Sequence, residues 1–152
     1  MNNLKKLLYF LNRCFTTGLF IGYIPGAPGT YGSLLAAVFV FCFPGLSNLI
    51  LITGLFFLGV ISSQLEENRT GLKDEGKIVI DEIIGMFITF VGFSLSPIVI
   101  IIGFLLFRFF DIFKPFLIDR AQNLPGGWGV MADDVVAGIA SNLLLQIILF
   151  TI

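Results

Sequence analysis

Five carboxylates in this chain stand at the edges of apolar segments. Asp81 and Glu82 open one such segment and Asp133 and Asp134 another, while Asp111 lies between Arg108 and Lys114 at successive i,i+3 steps near the end of a third. An ionised side chain removed from water is costly unless it is paired, metal-bound or facing a wet cavity, so charge at a membrane edge is read first as a functional site. Like charges gathered in one place repel unless a cation joins them, and a divalent metal is the natural partner. The chain has no His, so any metal or acid–base chemistry must run on carboxylates, hydroxyls, Lys, Arg and water. An all-oxygen donor set points to a hard ion, Mg²⁺ first, with Mn²⁺ able to substitute and Zn²⁺ disfavoured. Asp81, Glu82, Asp111, Asp133 and Asp134 are therefore the candidate metal ligands and catalytic acids or bases. For any one of them helix capping is the plainer explanation, since an Asp at a helix start accepts orphan backbone N–H groups. Two acidic doublets, a further Asp and basic residues beside it ask for more than capping.

The same segments carry groups suited to phosphate. Arg108 can bind phosphate oxygens bidentately and Lys114 as a point charge, although each could equally form a local ion pair with Asp111. The stretch GAPGTYGS lacks the GK[ST] ending of a Walker A loop, yet it offers the backbone of Gly29 and the hydroxyls of Thr30 and Ser33 at a helix start, where anions bind. A plain turn explains that stretch as well. Asp81 with Gly85, and Asp134 with Gly138, form i,i+4 pairs that put a small residue beneath each acid and allow close helix approach.

The elements that must hold these groups follow from composition and breaks. Of 152 residues, 57% are hydrophobic and 12% charged, with 18 Phe. Mean hydropathy is +0.98. Soluble domains are about a quarter charged, so the apolar excess asks for lipid. No charge lies between Cys14 and Leu65, between Ile83 and Phe107, or after Asp134, and all ten acids fall between Glu66 and Asp134. Cys14 and Cys42 have no CxxC spacing and read as small buried hydrophobes.

The spacing predicts an amphipathic N-terminal helix over Asn3 to Ile21, without a cleavage site after it. A first apolar helix follows, with Ser33 as its N-cap, to Phe43, and its length suits either a crossing or a re-entrant segment. A second runs from Asn48 to Ser63, and a polar loop, SQLEENRTGLKDEGK, leads to a third from Asp81 to Gly92. A fourth runs from Pro97 to just before Pro115, and the last from Asp133 onward. The expected fold is thus all-α: a small polytopic membrane protein of four to five short transmembrane helices plus the N-terminal helix, forming one domain over 1–152. If each helix crosses, every motif falls on the face that also holds Arg69, Lys73, Lys77, Lys114 and Arg120. The positive-inside rule makes that face cytoplasmic.

VIDEIIGMF, FRFFDIFKP, GGWGVMADDVVAG and the earlier PGAPGTYGS resemble, in order and spacing, the motifs of the phosphatidylglycerophosphatase A family, over Pro25 to Gly138. The matching positions are Gly29, Thr30, Gly32 and Ser33, then Asp81, Glu82 and Gly85, then Arg108, Asp111, Lys114 and Pro115, and finally Gly127, Gly129, Asp133, Asp134 and Gly138. The resemblance implies a Mg²⁺-dependent lipid phosphatase of the bacterial inner membrane that converts phosphatidylglycerophosphate to phosphatidylglycerol. Its partners would be the phospholipid substrate and the bilayer, not nucleic acid. Two departures concern loops: Lys114-Pro115 is followed by Phe116-Leu117 where the family often has a second Pro, and no Pro follows Lys73-Asp74. Two other readings compete. A carboxylate-lined ion or proton carrier would place its acids near mid-membrane rather than at helix ends. A CDP-alcohol phosphotransferase would show a spaced Asp-Gly-xx-Ala-Arg pattern, which is absent.

Overall fold

A computed structural model describes residues 3–72, 75–115 and 117–151, and among them every regular element is helical. Lys73 and Asp74 lie outside the described residues. The helices are α1 (Asn3–Thr16), α2 (Pro28–Cys42), α3 (Leu49–Thr70), α4 (Ile80–Thr89), α5 (Pro97–Phe113), α6 (Leu117–Gln122) and α7 (Gly127–Thr151), with 3-10 turns at Ile21–Tyr23 and Pro44–Ser47. The all-α expectation holds.

Several boundaries differ from the sequence expectation, each for a local reason. Helix α1 stops at Thr16 rather than near Ile21, because Gly18, Leu19 and Phe20 take left-handed backbone angles with φ of 55°, 57° and 69°. Helix α2 begins at Pro28, a residue pre-set for a first helical turn. Ser33 is therefore not its N-cap but lies inside it, its hydroxyl donating to the Gly29 carbonyl at 2.7 Å. Helix α3 continues into the first half of the segment expected to be a loop and stops at Thr70. The stop is Gly71, which takes φ of 73° and donates its N–H to the Glu67 carbonyl at 2.8 Å. Extension is supported by buried Glu66, which pairs with Arg69 one turn on and with Arg13 of α1 at 3.3 Å. Helix α7 starts at Gly127, so Asp133 and Asp134 sit in its second turn and do not cap it. The short α6 was not expected.

Helix α4 is the hub. It packs on α7, α2, α3 and α5, and nearly all of it is buried, including Ile84, Met86 and Phe87. The outer faces of the bundle stay apolar: Ile50, Phe57, Ile61, Leu105 and Ile147 are all exposed. Exposed hydrophobics on this scale mark contact with lipid or partners. Of the two cysteines Cys14 is half-buried, but Cys42 is exposed, contrary to the buried reading. Two helices, Leu49–Thr70 and Gly127–Phe150, are long and apolar enough to cross a membrane, fewer than the four to five expected. The difference is length, since an upright crossing takes about 20 residues. Helices α2, α4 and α5 have 15, 10 and 17.

Candidate active site

The start of α2, the start of α4, the end of α5 and the second turn of α7 meet at one end of the bundle. Glycines bring them together. A Cβ on Gly85 of α4 would overlap the Phe107 ring and lie 2.7 Å from the Asp134 carbonyl oxygen, and one on Gly138 of α7 would lie 3.1 Å from the Gly85 carbonyl carbon. Helices α4 and α7 thus cross backbone to backbone one turn beyond their acids, as the two i,i+4 pairs predict. The start of α2 approaches as closely, because a Cβ on Gly29 would collide with the Glu82 carboxylate and lie 3.4 Å from the Arg108 Nη1.

Three carboxylates converge in this crossing. Asp81, Glu82 and Asp134 each offer an oxygen, and these oxygens all lie within 4.8 Å of one another. Asp81 and Asp134 are buried. The Glu82 backbone N–H donates to Asp81 Oδ1 at 3.1 Å, a local bond within the first turn of α4 and not a cap, since the N-cap position is Val79. Glu82 Oε2 and Asp134 Oδ1 are shielded from solvent and have no hydrogen-bond partner among the described residues. Buried acceptors of this kind normally carry a partner. Three hard oxygen donors, crowded and undersatisfied, fit a small divalent cation.

The two other acids face cations. Asp111 pairs with Arg108 across one turn of α5. Arg108 Nη1 also donates to Ser33 Oγ at 3.3 Å, which ties α5 to α2, while its Nε is buried with no hydrogen-bond partner among the described residues. Lys114 closes α5 in a left-handed conformation, φ 41° and ψ 56°, and its Nζ donates to Asp133 Oδ2 at 2.6 Å. A non-glycine residue held there costs on the order of 1 kcal/mol, which the ion pair offsets. Burial alone would lower the Lys114 pKa, but the hydrogen bond to Asp133 and the charges of Asp133, Asp134 and Asp111 outweigh it and hold the ammonium above its usual value. Thr30 lies beside Gly29 in the first turn of α2, half-buried.

All ten sequence candidates therefore lie on the four segments that meet here, in three groups: Asp81, Glu82 and Asp134; Arg108, Asp111, Ser33 and Gly29, with Thr30 in the neighbouring position; and Lys114 with Asp133. The sequence reading missed Gln64. Its Oε1 accepts the Gly127 N–H at 3.1 Å and so caps α7 from the side of α3. Its place in the Ser-Ser-Gln-Leu run just upstream of a charged stretch carried no signal that would have singled it out.

Fold and site together define an all-helical protein with apolar outer faces, three converging carboxylates at one end of the bundle, and an arginine and a lysine beside them. Its family follows from comparison with known proteins. The description of the phosphatidylglycerophosphatase A family matches residues 14–149. The chain is 40% identical over 146 residues to the phosphatidylglycerophosphatase A of Haemophilus influenzae, covering 91% of this chain and 90% of that protein. It is 37% identical over 135 residues to the protein of the same name from Escherichia coli, covering 84% and 77%. It is also 34% identical over 149 residues to a putative phosphatidylinositol-3-phosphatase of Bacteroides thetaiotaomicron, covering 91% and 93%. The chain belongs to the phosphatidylglycerophosphatase A family. No solved structure matches it.

Proposed function

We infer that this protein is a membrane phosphatase that removes the terminal phosphate of phosphatidylglycerophosphate to give phosphatidylglycerol. The observation that carries the reading is the meeting of Asp81, Glu82 and Asp134 with Arg108 and Lys114 close by, in a chain of this family. Asp81, Glu82 and Asp134 would hold Mg²⁺, with Asp111 and Asp133 bordering the site as acid–base groups or further ligands. Bound there, the ion would neutralise phosphate charge and activate or position the attacking nucleophile.

The chain's own groups do the rest. Arg108 has an uncommitted Nε and would present its guanidinium to phosphate oxygens, while Asp111 and Ser33 fix its plane. The backbone N–H groups at the start of α2, with Gly29, Thr30 and Ser33, add donors and the positive end of a helix. Lys114 supplies a further positive charge while shielding Asp133 from the other acids.

The surrounding bundle would lie in the bacterial inner membrane, with α3 and α7 crossing it and the shorter α2, α4 and α5 packed among them. The site would face the cytoplasm, on the side of Arg69, Lys77 and Arg120. Acyl chains would lie against the exposed Leu, Ile and Phe of α2 and α5.

A second reading is supported by the 34% identical relative: hydrolysis of a phosphate ester on an inositol headgroup. Purified protein in mixed micelles with Mg²⁺ is given phosphatidylglycerophosphate or phosphatidylinositol 3-phosphate, and phosphate release is followed. The first reading expects a much higher kcat/KM on phosphatidylglycerophosphate. Preference for the inositol lipid would replace it, and release from neither would remove both.

A further inference from the structure

Helix α7 bears another polar side chain in line with Asp134. Gly138 and Asn142 follow Asp134 at i,i+4 and i,i+8, so the three share one helix face. Each of them meets α4. Asp134 faces Asp81 and Glu82. Gly138 lies against the Gly85 backbone. Asn142 Nδ2 lies 3.2, 3.0 and 2.9 Å from the carbonyl oxygens of Ile88, Thr89 and Val91, where α4 ends.

The last carbonyls of any helix have no partner within it. Here a side chain from a neighbouring helix takes that role, and Gln146 Nε2 fixes its orientation by donating to Asn142 Oδ1 at 2.6 Å. The arrangement is a lever. At one end of the interface three carboxylates repel, in the middle two glycines make a pivot, and at the other end Asn142 ties α4 down. Helix α4 is only 10 residues long, so a tilt at one end is felt at the other.

We propose that Asn142 is a positioning residue for the divalent-cation site: by fastening the C-terminal end of α4 to α7 it holds Asp81 and Glu82 at ligand distance from Asp134 against their mutual repulsion. This rests on the metal reading given above, and Asn142 itself touches neither ion nor substrate. Without the tie, α4 tilts about the Gly85–Gly138 contact and the acids spread. An incoming ion must then gather them, and its affinity falls. Once the ion is bound the geometry is restored, so turnover at saturating metal stays close to wild type.

The test is direct Mn²⁺ binding to the purified full chain in detergent, read from the electron paramagnetic resonance signal of free Mn²⁺. Wild type, Asn142→Leu and Ser141→Ala are compared. Ser141 is the control: it is buried on the same helix, but its hydroxyl donates to its own helix at Ala137 O, 2.7 Å away. The expected result is about tenfold weaker Mn²⁺ binding by Asn142→Leu, the size typical of groups that orient metal ligands, with Ser141→Ala unchanged. The Mg²⁺ concentration giving half-maximal phosphate release should rise in parallel while kcat at saturation is kept. Should the Leu variant fail to fold, Asn142→Ser is measured in the same way. A folded variant that binds Mn²⁺ as wild type does overturns the proposal. Wild type that binds no Mn²⁺ removes the metal reading and this inference with it.

Discussion

A methyl group at Gly29 would run into the Glu82 carboxylate, so this glycine is needed for what it lacks. Gly29→Ala should leave α2 intact, since Ala is the better helix former, yet displace Glu82 from Asp81 and Asp134. The expected outcome is a higher Mg²⁺ requirement and lower kcat/KM at an unchanged melting temperature, checked by metal titration of the activity and a thermal melt. Lys114 makes the opposite case, a residue needed for its charge. Lys114→Met would leave Asp133 buried beside Asp134 without its cation and should cost about 2 kcal/mol of stability besides activity. Denaturant unfolding in detergent reads the first and phosphate release the second. Lys114→Arg, which keeps the charge, should recover most of the stability. Much of this scale was legible in the sequence, because charge in apolar surroundings is conspicuous. The partition was not: spacing along the chain could not tell that Asp111 would face Arg108 and Asp133 would face Lys114, leaving three acids to converge.

Among the elements, the α4–α7 crossing decides the geometry of the site. Gly138→Ala would push a methyl group onto the Gly85 carbonyl and force the helices apart, at about 1–3 kcal/mol for overpacking. Loss of metal affinity should accompany that destabilisation, whereas Gly54→Ala, with open space around it, should change neither. Equal effects of the two substitutions on metal binding would speak against the crossing as the determinant. The sequence announced this contact through the pairing of each acid with a glycine four residues on. Other elements were less readable. The helix start placed at Ser33 gave weight to a hydroxyl that instead bonds back to Gly29 and receives Arg108. The end placed at Ser63 treated charge as a loop signal, although Glu66 is buried between Arg13 and Arg69 and only Gly71 ends the helix. In both places the boundary itself is local, Pro28 opening α2 and Gly71 closing α3, whereas the partners that let Ser33 and Glu66 sit inside a helix are not visible in the local pattern.

For the molecule as a whole, composition was the readable quantity and crossing number was not. Apolar outer faces and an all-helical bundle follow from the hydropathy, but helix length separates α3 and α7 from the shorter elements, since α3 runs on to Gly71 and α7 starts at Gly127 while prolines bound α2 and α5. The proposed orientation puts the turns at Pro44–Ser47 and 92–96 on the side away from the site. In a background without Cys14 and Cys42, cysteine at Ser47 or Ser94 should react with an impermeant maleimide from the periplasm, and cysteine at Glu75 only after permeabilisation. Labelling of all three from one side would contradict that arrangement. At the scale of the whole molecule, the proposed function requires Asp81, Glu82 and Asp134 to form a metal-dependent phosphatase centre. Its most direct test is phosphate release from phosphatidylglycerophosphate by purified wild type and Asp134→Asn, each with Mg²⁺ or with EDTA. Wild type should release phosphate in a way that EDTA abolishes and Mg²⁺ restores, with a loss of about 10²-fold or more in the folded Asp134→Asn protein. Metal-independent release, or a folded variant as active as wild type, would contradict it.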